Sequence, residues 1–305
     1  MPSNSIPEPV RRLLAERRSA RVESDWERAD ELRASIALLG WEVQDRGTRS
    51  TARPILTPAA PSEDASLLEE PASVTASLQV AAEDHPDDLV RFLAGLAAHP
   101  PPVSVELLVV DNAASFDLDE LLGALEPAAV VVRSDHRLGW ADARTLGMRR
   151  SVGEITVVLD SSLEPRGDFL SPLLAAFEDP TVGIAGPWGV TSPNGRQFEE
   201  APPGEVDAVE AYCLAVRRDA LLVVGGFDRR FQFYRNADLD FSFAVRAAGW
   251  RALRTPPLPL ARHEHRGWES VSEVERERLS KRNFYRFLDH WADRPDLLIN
   301  AESRP

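Results

Sequence analysis

The sequence predicts an α/β protein: a doubly wound sheet with a small helical module before it and a helical tail after it. Three observations carry this. From Val74 onward, short apolar, β-branched runs alternate with stretches of helical period. The runs "VTASLQV", "VSVELLVV", "AAVVVRS" and "EITVVLD" are continuously apolar, as strands covered on both faces must be. Ahead of them, "PILTPAAPSEDASLLEEPA" reads as a linker, and ahead of that lies a purely helical pattern.

Taken in order, residues 9 to about 40 read as helices, with Trp26, Ala29, Leu32, Ile36 and Leu39 at helical spacing and Gly40 as the stop. The expected organisation is a helical module over 1–53, a linker over 54–72, the α/β domain over 73–268 and a helical tail over 269–305. Between the apolar runs, "DDLVRFLAGLAAH" and "GWADARTLGMRRS" are crossover helices, and right-handed crossovers give the doubly wound arrangement. Farther on, "SPNGRQ" predicts a hairpin turn, "VDAVEAYCLAVRR" a strand and "LDFSFAVRAAG" a helix ending at Gly249. In the tail, Phe284, Phe287, Leu288 and Trp291 form one apolar stripe that packs on the domain.

Composition narrows the partners. A formal net charge of -14 argues against general binding to nucleic acid or anionic membrane. The single cysteine, Cys213, excludes an internal disulfide framework and cysteine-based zinc sites. No run reaches the length of about 18 apolar residues that a membrane helix needs, and "MPSNSIPEPVRRLLAERR" lacks the apolar core of a signal peptide. The expectation is a soluble cytoplasmic protein with no integral membrane segment.

In open α/β sheets ligands sit at the carboxyl ends of the strands. Asp111, after "ELLVV", and Asp160, in "VVLDSSLEP", stand at such ends. A second acid two residues after Asp160 would complete a divalent-metal pair; this chain has Ser162 there.

Six ordered segments over residues 73 to 265 resemble the family 2 glycosyltransferases of GT-A fold. They are "ELLVVDNAAS", "RLGWADARTLG", "GEITVVLDSSLEP", "CLAVRRDALLVVGGFDRRF", "ADLDFSFAVRAAGW" and "RHEHRGW". The resemblance implies a GT-A-like doubly wound mixed sheet and transfer of a sugar, with inversion, from a nucleoside-diphosphate donor to an unidentified hydroxyl acceptor. It makes Asp238 the catalytic base and places Asp111 and Arg144 on the nucleotide. Asp160 holds a divalent metal, Mn²⁺ or Mg²⁺, and His263 or His265 can add an imidazole to it. Ser162 offers a neutral oxygen, Arg137 an added cation near the diphosphate, and Asp240 a further acid. The family's asparagines are replaced by Arg137 and Thr145, and the Glu before the base is Ala237. With the metal pair reduced as well, a catalytically weak or inactive nucleotide-sugar-binding relative stays open as an alternative.

The N-terminal stretch resembles the C-terminal segment of cysteinyl-tRNA synthetases, through Arg17, Ala20, Arg21, Asp25, Trp26, Ala29, Asp30, Arg33, Gly40, Asp45 and Gly47. In those enzymes this piece lies near the anticodon, so a tRNA-associated protein is the other alternative. Acids and bases nearly balance on these helices, whereas nucleic-acid contact concentrates Lys and Arg on one face. A hairpin used for packing or homodimerisation is the favoured reading.

Overall fold

The computed structural model describes residues 8–23, 25–38, 41–46, 49–54, 66–123, 129–266 and 271–300. The chain divides into two units, Met1–Pro58 and Ala59–Pro305.

In the first unit, α1 (Glu8–Val22) and α2 (Trp26–Leu38) form the expected helical pair. Asp25 starts α2, its Oδ1 accepting from the Arg28 N–H at 3.0 Å, a favoured use of a carboxylate at a helix N-terminus. Ala29, Leu32 and Ile36 are buried as their spacing requires, whereas Trp26, the first helical residue, is 59% exposed. Leu39 and Gly40 lie outside the described residues. The module is not wholly helical: β1 (Trp41–Arg46) and β2 (Arg49–Pro54) pair antiparallel, and Val43 joins Val10, Leu14 and Ile36 in a small core.

The second unit begins with residues of the expected linker. Those from 66 to 72 are built into the domain: Leu68 is buried, and the Leu67 N–H donates to the Arg149 carbonyl at 2.7 Å. The buried Arg218 guanidinium donates to the carbonyls of Leu67, Glu70, Ser151 and Gly153. One side chain thereby satisfies backbone acceptors that burial would otherwise leave unpaired.

The α/β core follows in the predicted order: β3 (Val74–Ala82), α3 (Pro86–Ala98), β4 (Val105–Asp111), α4 (Leu118–Gly123), β5 (Val130–Arg133), α5 (Trp140–Arg150) and β6 (Gly153–Leu159). The strands β6, β3, β4 and β5 are neighbours and all parallel. Alternate residues face opposite ways. Leu78, Val80, Leu107 and Val109 pack with Phe92 and Leu89 of α3, while Ala81, Leu108 and Val110 pack with Leu146 of α5. Phe92 and Leu89 are fully buried and contribute roughly 1.5–3 kcal/mol each. Gly147 lets α5 approach β3 closely, since a Cβ there would collide with the Gln79 side chain.

The later half is irregular: β7 (Leu163–Pro165), α6 (Leu170–Ala175), β8 (Val182–Gly186), β9 (Gly189–Thr191), β10 (Glu199–Glu200), β11 (Gly204–Val206), β12 (Ala208–Val209) and β13 (Cys213–Arg217). Then come α7 (Arg218–Val224), α8 (Ala237–Ala247), β14 (Arg251–Arg254), β15 (Leu260–Arg262) and the tail helix α9 (Glu273–Trp291). The hairpin turn falls between β9 and β10, with Gly195 at φ 70°. Gly249, at φ 95°, closes α8.

The main sheet runs β11-β14-β8-β13-β6-β3-β4-β5. Strand β13 lies antiparallel between β6 and β8, so the sheet is mixed. Its direction shapes the site, because β13 begins where β6 ends: Cys213 pairs with Leu159, and the Asp160 N–H donates to the Tyr212 carbonyl at 2.9 Å. The predicted strand over 206–218 is really β12 and β13, broken at Glu210–Tyr212.

The tail helix packs on α8 as its stripe predicts, with Phe287 buried against Phe243. Its buried Asn283 donates to the carbonyls of Phe233 and Arg235 at 2.7 and 2.9 Å, fixing the loop that precedes α8.

Candidate active site

Asp160 leaves the carboxyl end of β6 and immediately enters a turn. The Ser162 N–H and hydroxyl both donate to its Oδ1, at 3.0 and 2.6 Å. Ser162 therefore spends its hydroxyl on orienting Asp160 and leaves Oδ2 to face other groups. His265 Nε2 stands 3.5 Å from that Oδ2, and an Arg144 nitrogen 3.9 Å from it. Burial works to raise the Asp160 carboxyl, but His265, Arg144 and Ser162 outweigh it and hold the group far below the usual carboxylate range.

His265 arrives through β15, which pairs antiparallel with β7 just beyond Asp160. The chain then runs back past Ser162, whose carbonyl accepts from the His263 N–H at 2.9 Å. The His265 ring sits between Tyr234 (centroids 4.3 Å apart) and Tyr212 (5.6 Å), and its buried Nδ1 has no hydrogen-bond partner among the described residues.

Asp238 occupies the first turn of α8, entered through Asn236 at φ 64°, a conformation Asn tolerates better than most residues. Its Oδ2 accepts from the Ala211 N–H at 3.2 Å and its Oδ1 from the Leu239 N–H at 3.0 Å. Burial pushes its carboxyl above the ordinary value, against those N–H groups and Arg235. Asp160, His265 and Asp238 line one cavity of about 330 Å³, together with Trp140, Glu210, Tyr212, Tyr234, Arg235 and Arg262.

The other expected site residues are placed as follows. Arg144 donates to Glu83 Oε1 at 3.1 Å while facing Asp160, so it links the ends of β3 and β6. Arg137 donates to Asp84 at 2.9 Å and lies 3.7 Å from Glu83, which balances its charge locally. Asp111, half-buried at the end of β4, accepts from the Ala114 N–H and stands 3.6 Å from Arg133 Nε. Neither Arg137 nor Asp111 lines the cavity. His263 does not share His265's position: it meets Glu164 at 2.7 Å. Residues 263–265 are not a strand, so the rule that residues two apart share a face does not apply to them. Asp240 also points elsewhere, because positions two apart on a helix face different sides. It accepts from Trp291 Nε1 at 2.8 Å and contacts His290 Nδ1 at 3.0 Å.

Asp228, Asp240 and His290 form a group whose ligand atoms lie within 4.8 Å of one another, as metal ligands would. Arg230 enters the same cluster, donating to Asp228 Oδ2 at 2.6 Å and touching His290, and the cluster joins α8 to the tail helix.

Several site residues escaped the sequence reading. Glu83 follows β3 as Asp111 and Asp160 follow β4 and β6, so the strand-end rule itself points to it. Its carboxyl is raised by burial but lowered more by Arg144, Arg137 and Asn112. Glu210 and Tyr212 lie inside what read as one strand, and nothing in the apolar pattern marks the break that turns them into the cavity. Thr145, where the family has Asn, accepts from the Phe227 N–H at 3.0 Å and ties α5 to the Gly-Gly-Phe-Asp loop.

A mixed sheet flanked by helices, with Asp160 at a strand's carboxyl end opening into a polar cavity, is a GT-A-like arrangement. Comparison with known proteins agrees: residues 80–256, more than half of the chain, match glycosyl transferase family 2, and the chain belongs to that family. Residues 3–53 match the cysteinyl-tRNA ligase anticodon binding domain. The pre-mycofactocin glycosyltransferase of Mycobacterium tuberculosis is 29% identical over 182 residues, covering 53% of this chain and 38% of that one. This chain thus spans well under half of that relative's length. Cysteine--tRNA ligase 1 of Burkholderia lata is 50% identical over 40 residues, 13% of this chain and 8% of that one. Among solved structures, GalNAc-T7 with UDP, GalNAc and Mn²⁺ shares the fold with a TM-score of 0.61 at 16% identity, over 72% of this chain and 49% of that one. Among the described residues no helix is long and apolar enough to cross a membrane.

Proposed function

We propose that this chain transfers a glycosyl group, with inversion, from a nucleoside-diphosphate sugar to a hydroxyl acceptor. The observation that carries the reading is the cavity that Asp160 and Asp238 share, with their carboxyls shifted in opposite directions. Carboxylates whose environments push them apart are suited to different tasks. Asp160, held ionised, suits cation binding. Asp238, made more basic by burial, suits proton acceptance.

The donor set fits a divalent ion. Asp160 Oδ2 and His265 Nε2 are 3.5 Å apart, and two ligands each about 2.1 Å from one ion sit roughly 3.0–3.5 Å apart. Bound there, the ion would neutralise charge developing on the leaving diphosphate. Asp160 and His265 would hold the ion, and one carboxylate with one imidazole suits Mn²⁺. Arg144, fixed by Glu83, adds positive charge beside Asp160. The acceptor hydroxyl gives its proton to the Asp238 carboxylate as its oxygen forms the bond to the anomeric carbon and the bond to the diphosphate breaks. Tyr212, Tyr234 and Trp140 add aromatic side chains to the cavity lining.

The test is calorimetry with UDP and dTDP sugars, with and without Mn²⁺, followed by assays of donor hydrolysis and transfer. Metal-dependent binding with turnover supports the reading. Binding without hydrolysis or transfer reduces the chain to a nucleotide-sugar-binding relative, and no binding overturns the assignment.

A further inference from the structure

Position 237 cannot return the acid that this chain lacks before its base. Ala237 is 1% exposed and packs among Phe227, Phe231 and Phe241, so its side chain faces the apolar core. The cavity nevertheless holds an acid from another element. Glu210, in the break between β12 and β13, lines the cavity with Asp238. Its place is fixed on both sides. Its own N–H donates to the Trp188 carbonyl at 2.9 Å, and the next residue, Ala211, donates its N–H to Asp238 Oδ2. The two carboxyls therefore flank a single peptide unit.

Arg262 stands 3.9 Å from Glu210, and Arg235 also lends it positive charge. The Arg262 guanidinium is itself held over the rings of Trp188 and Tyr212, at 5.0 and 4.8 Å. A separation of 3.9 Å leaves the carboxylate oxygens of Glu210 short of a direct hydrogen bond to that partner. Burial, followed by the charge of Asp238, raises the Glu210 carboxyl. The Glu210 side chain is 38% exposed and lines the cavity, so its carboxylate oxygens can accept hydrogen bonds from a ligand there.

We propose that Glu210 is an acceptor-binding residue, accepting a hydrogen bond from a hydroxyl next to the one that Asp238 deprotonates. This rests on the proposed transfer reaction and deepens it by naming an acceptor class: a polyhydroxylated molecule with neighbouring hydroxyls, a sugar, rather than a lone alcohol. Tyr212 and Tyr234 line the same cavity beside Glu210. The proton transferred in the reaction goes to Asp238; Glu210 forms and breaks no covalent bond.

The experiment compares wild type with Glu210→Gln and Glu210→Ala, using p-nitrophenyl glycosides and their monodeoxy analogues as acceptors and the sugar nucleotide that wild type hydrolyses as donor. UDP–Mn²⁺ calorimetry monitors the donor site and the integrity of the fold. Both variants are expected to keep UDP affinity and acceptor-free donor hydrolysis within about threefold, while kcat/KM for the glycoside falls about 10- to 100-fold, mainly through acceptor KM. Wild type should also prefer a glycoside over one of its monodeoxy analogues by about 10-fold or more, and the variants should lose that preference. Unchanged acceptor kinetics overturn the proposal. So does a parallel loss of UDP binding and donor hydrolysis, which would make Glu210 a donor-side or structural residue. A wild-type protein that neither binds UDP nor cleaves a sugar nucleotide overturns the transfer reaction itself, a result separable from the other two.

Discussion

Two walls of one cavity treat their acids in opposite ways. On the β6 side, Asp160 is surrounded by Arg144, His265 and Ser162, and its carboxyl is held down. On the α8 side, burial pushes Asp238 and Glu210 up, with Arg235 and Arg262 only partly offsetting it. Under the proposed function, the same functional group is thereby suited to cation binding on one wall and to proton acceptance on the other. The difference arises from chain direction. Parallel β3 and β6 lead into Glu83 and Asp160, with Arg144 of α5 between them, while the segment entering antiparallel β13 bonds Asp238 through Ala211 and Asp160 through Tyr212.

The sharpest way to break this comparison is Asp238→Asn. Transfer is expected to fall by about 10²- to 10⁴-fold, the usual worth of a general base, with UDP–Mn²⁺ affinity unchanged by calorimetry. In wild type the acidic limb of kcat/KM should lie above the ordinary Asp value of about 3.9, because burial raises this carboxyl and only its ionised form accepts a proton. A limb at or below that value would remove Asp238 from the role.

Asp160→Asn should lower metal-dependent UDP affinity by about 100-fold, read by titration with and without Mn²⁺. It should also change acid stability in a defined direction. A carboxyl held below its unfolded value stabilises the fold above about pH 4 and loses that contribution as pH falls through the folded value. Wild type should therefore lose more stability on acidification than the variant, as thermal melts between about pH 5 and 3 would show.

Asn283→Ala removes the donors that hold the Phe233 and Arg235 carbonyls. The expected result is an acceptor KM raised about 10-fold and a stability loss of about 1–3 kcal/mol, with UDP binding intact. Equal damage to both walls would show that the tail supports the whole cavity.

The smallest effect is expected from Ser162→Ala. The Ser162 N–H still holds Asp160 Oδ1, so UDP–Mn²⁺ affinity should change by less than about fivefold. A loss as large as that of Asp160→Asn would make the Ser162 hydroxyl a ligand rather than an orienting group.

The sequence made the β6 wall the more legible of the two. Apolar runs ending in an acid place Asp160 at a strand's carboxyl end, and the same logic reaches Glu83. Strand direction is not written in an apolar run, so the antiparallel course of β13 and the break carrying Glu210 were hidden. The spacing of His263 and His265 could not show which one reaches Asp160, because the chain leaves β15 at Arg262, before either histidine. Asp238 and Asp240 sit on a helix, and the order of motifs along the chain could not show which of the two acids faces the cavity. The hairpin of the N-terminal unit, at Trp41–Pro54, follows a helical pattern whose expected stop at Gly40 lies just before it.

The division of labour between Asp160 and Asp238 is tested most directly by UDP calorimetry with and without Mn²⁺ on wild type, Asp160→Asn and Asp238→Asn. The account predicts that Asp160→Asn loses the metal-dependent part of binding while Asp238→Asn binds as wild type does. Retained metal dependence in Asp160→Asn, or an equal loss in both variants, would contradict it.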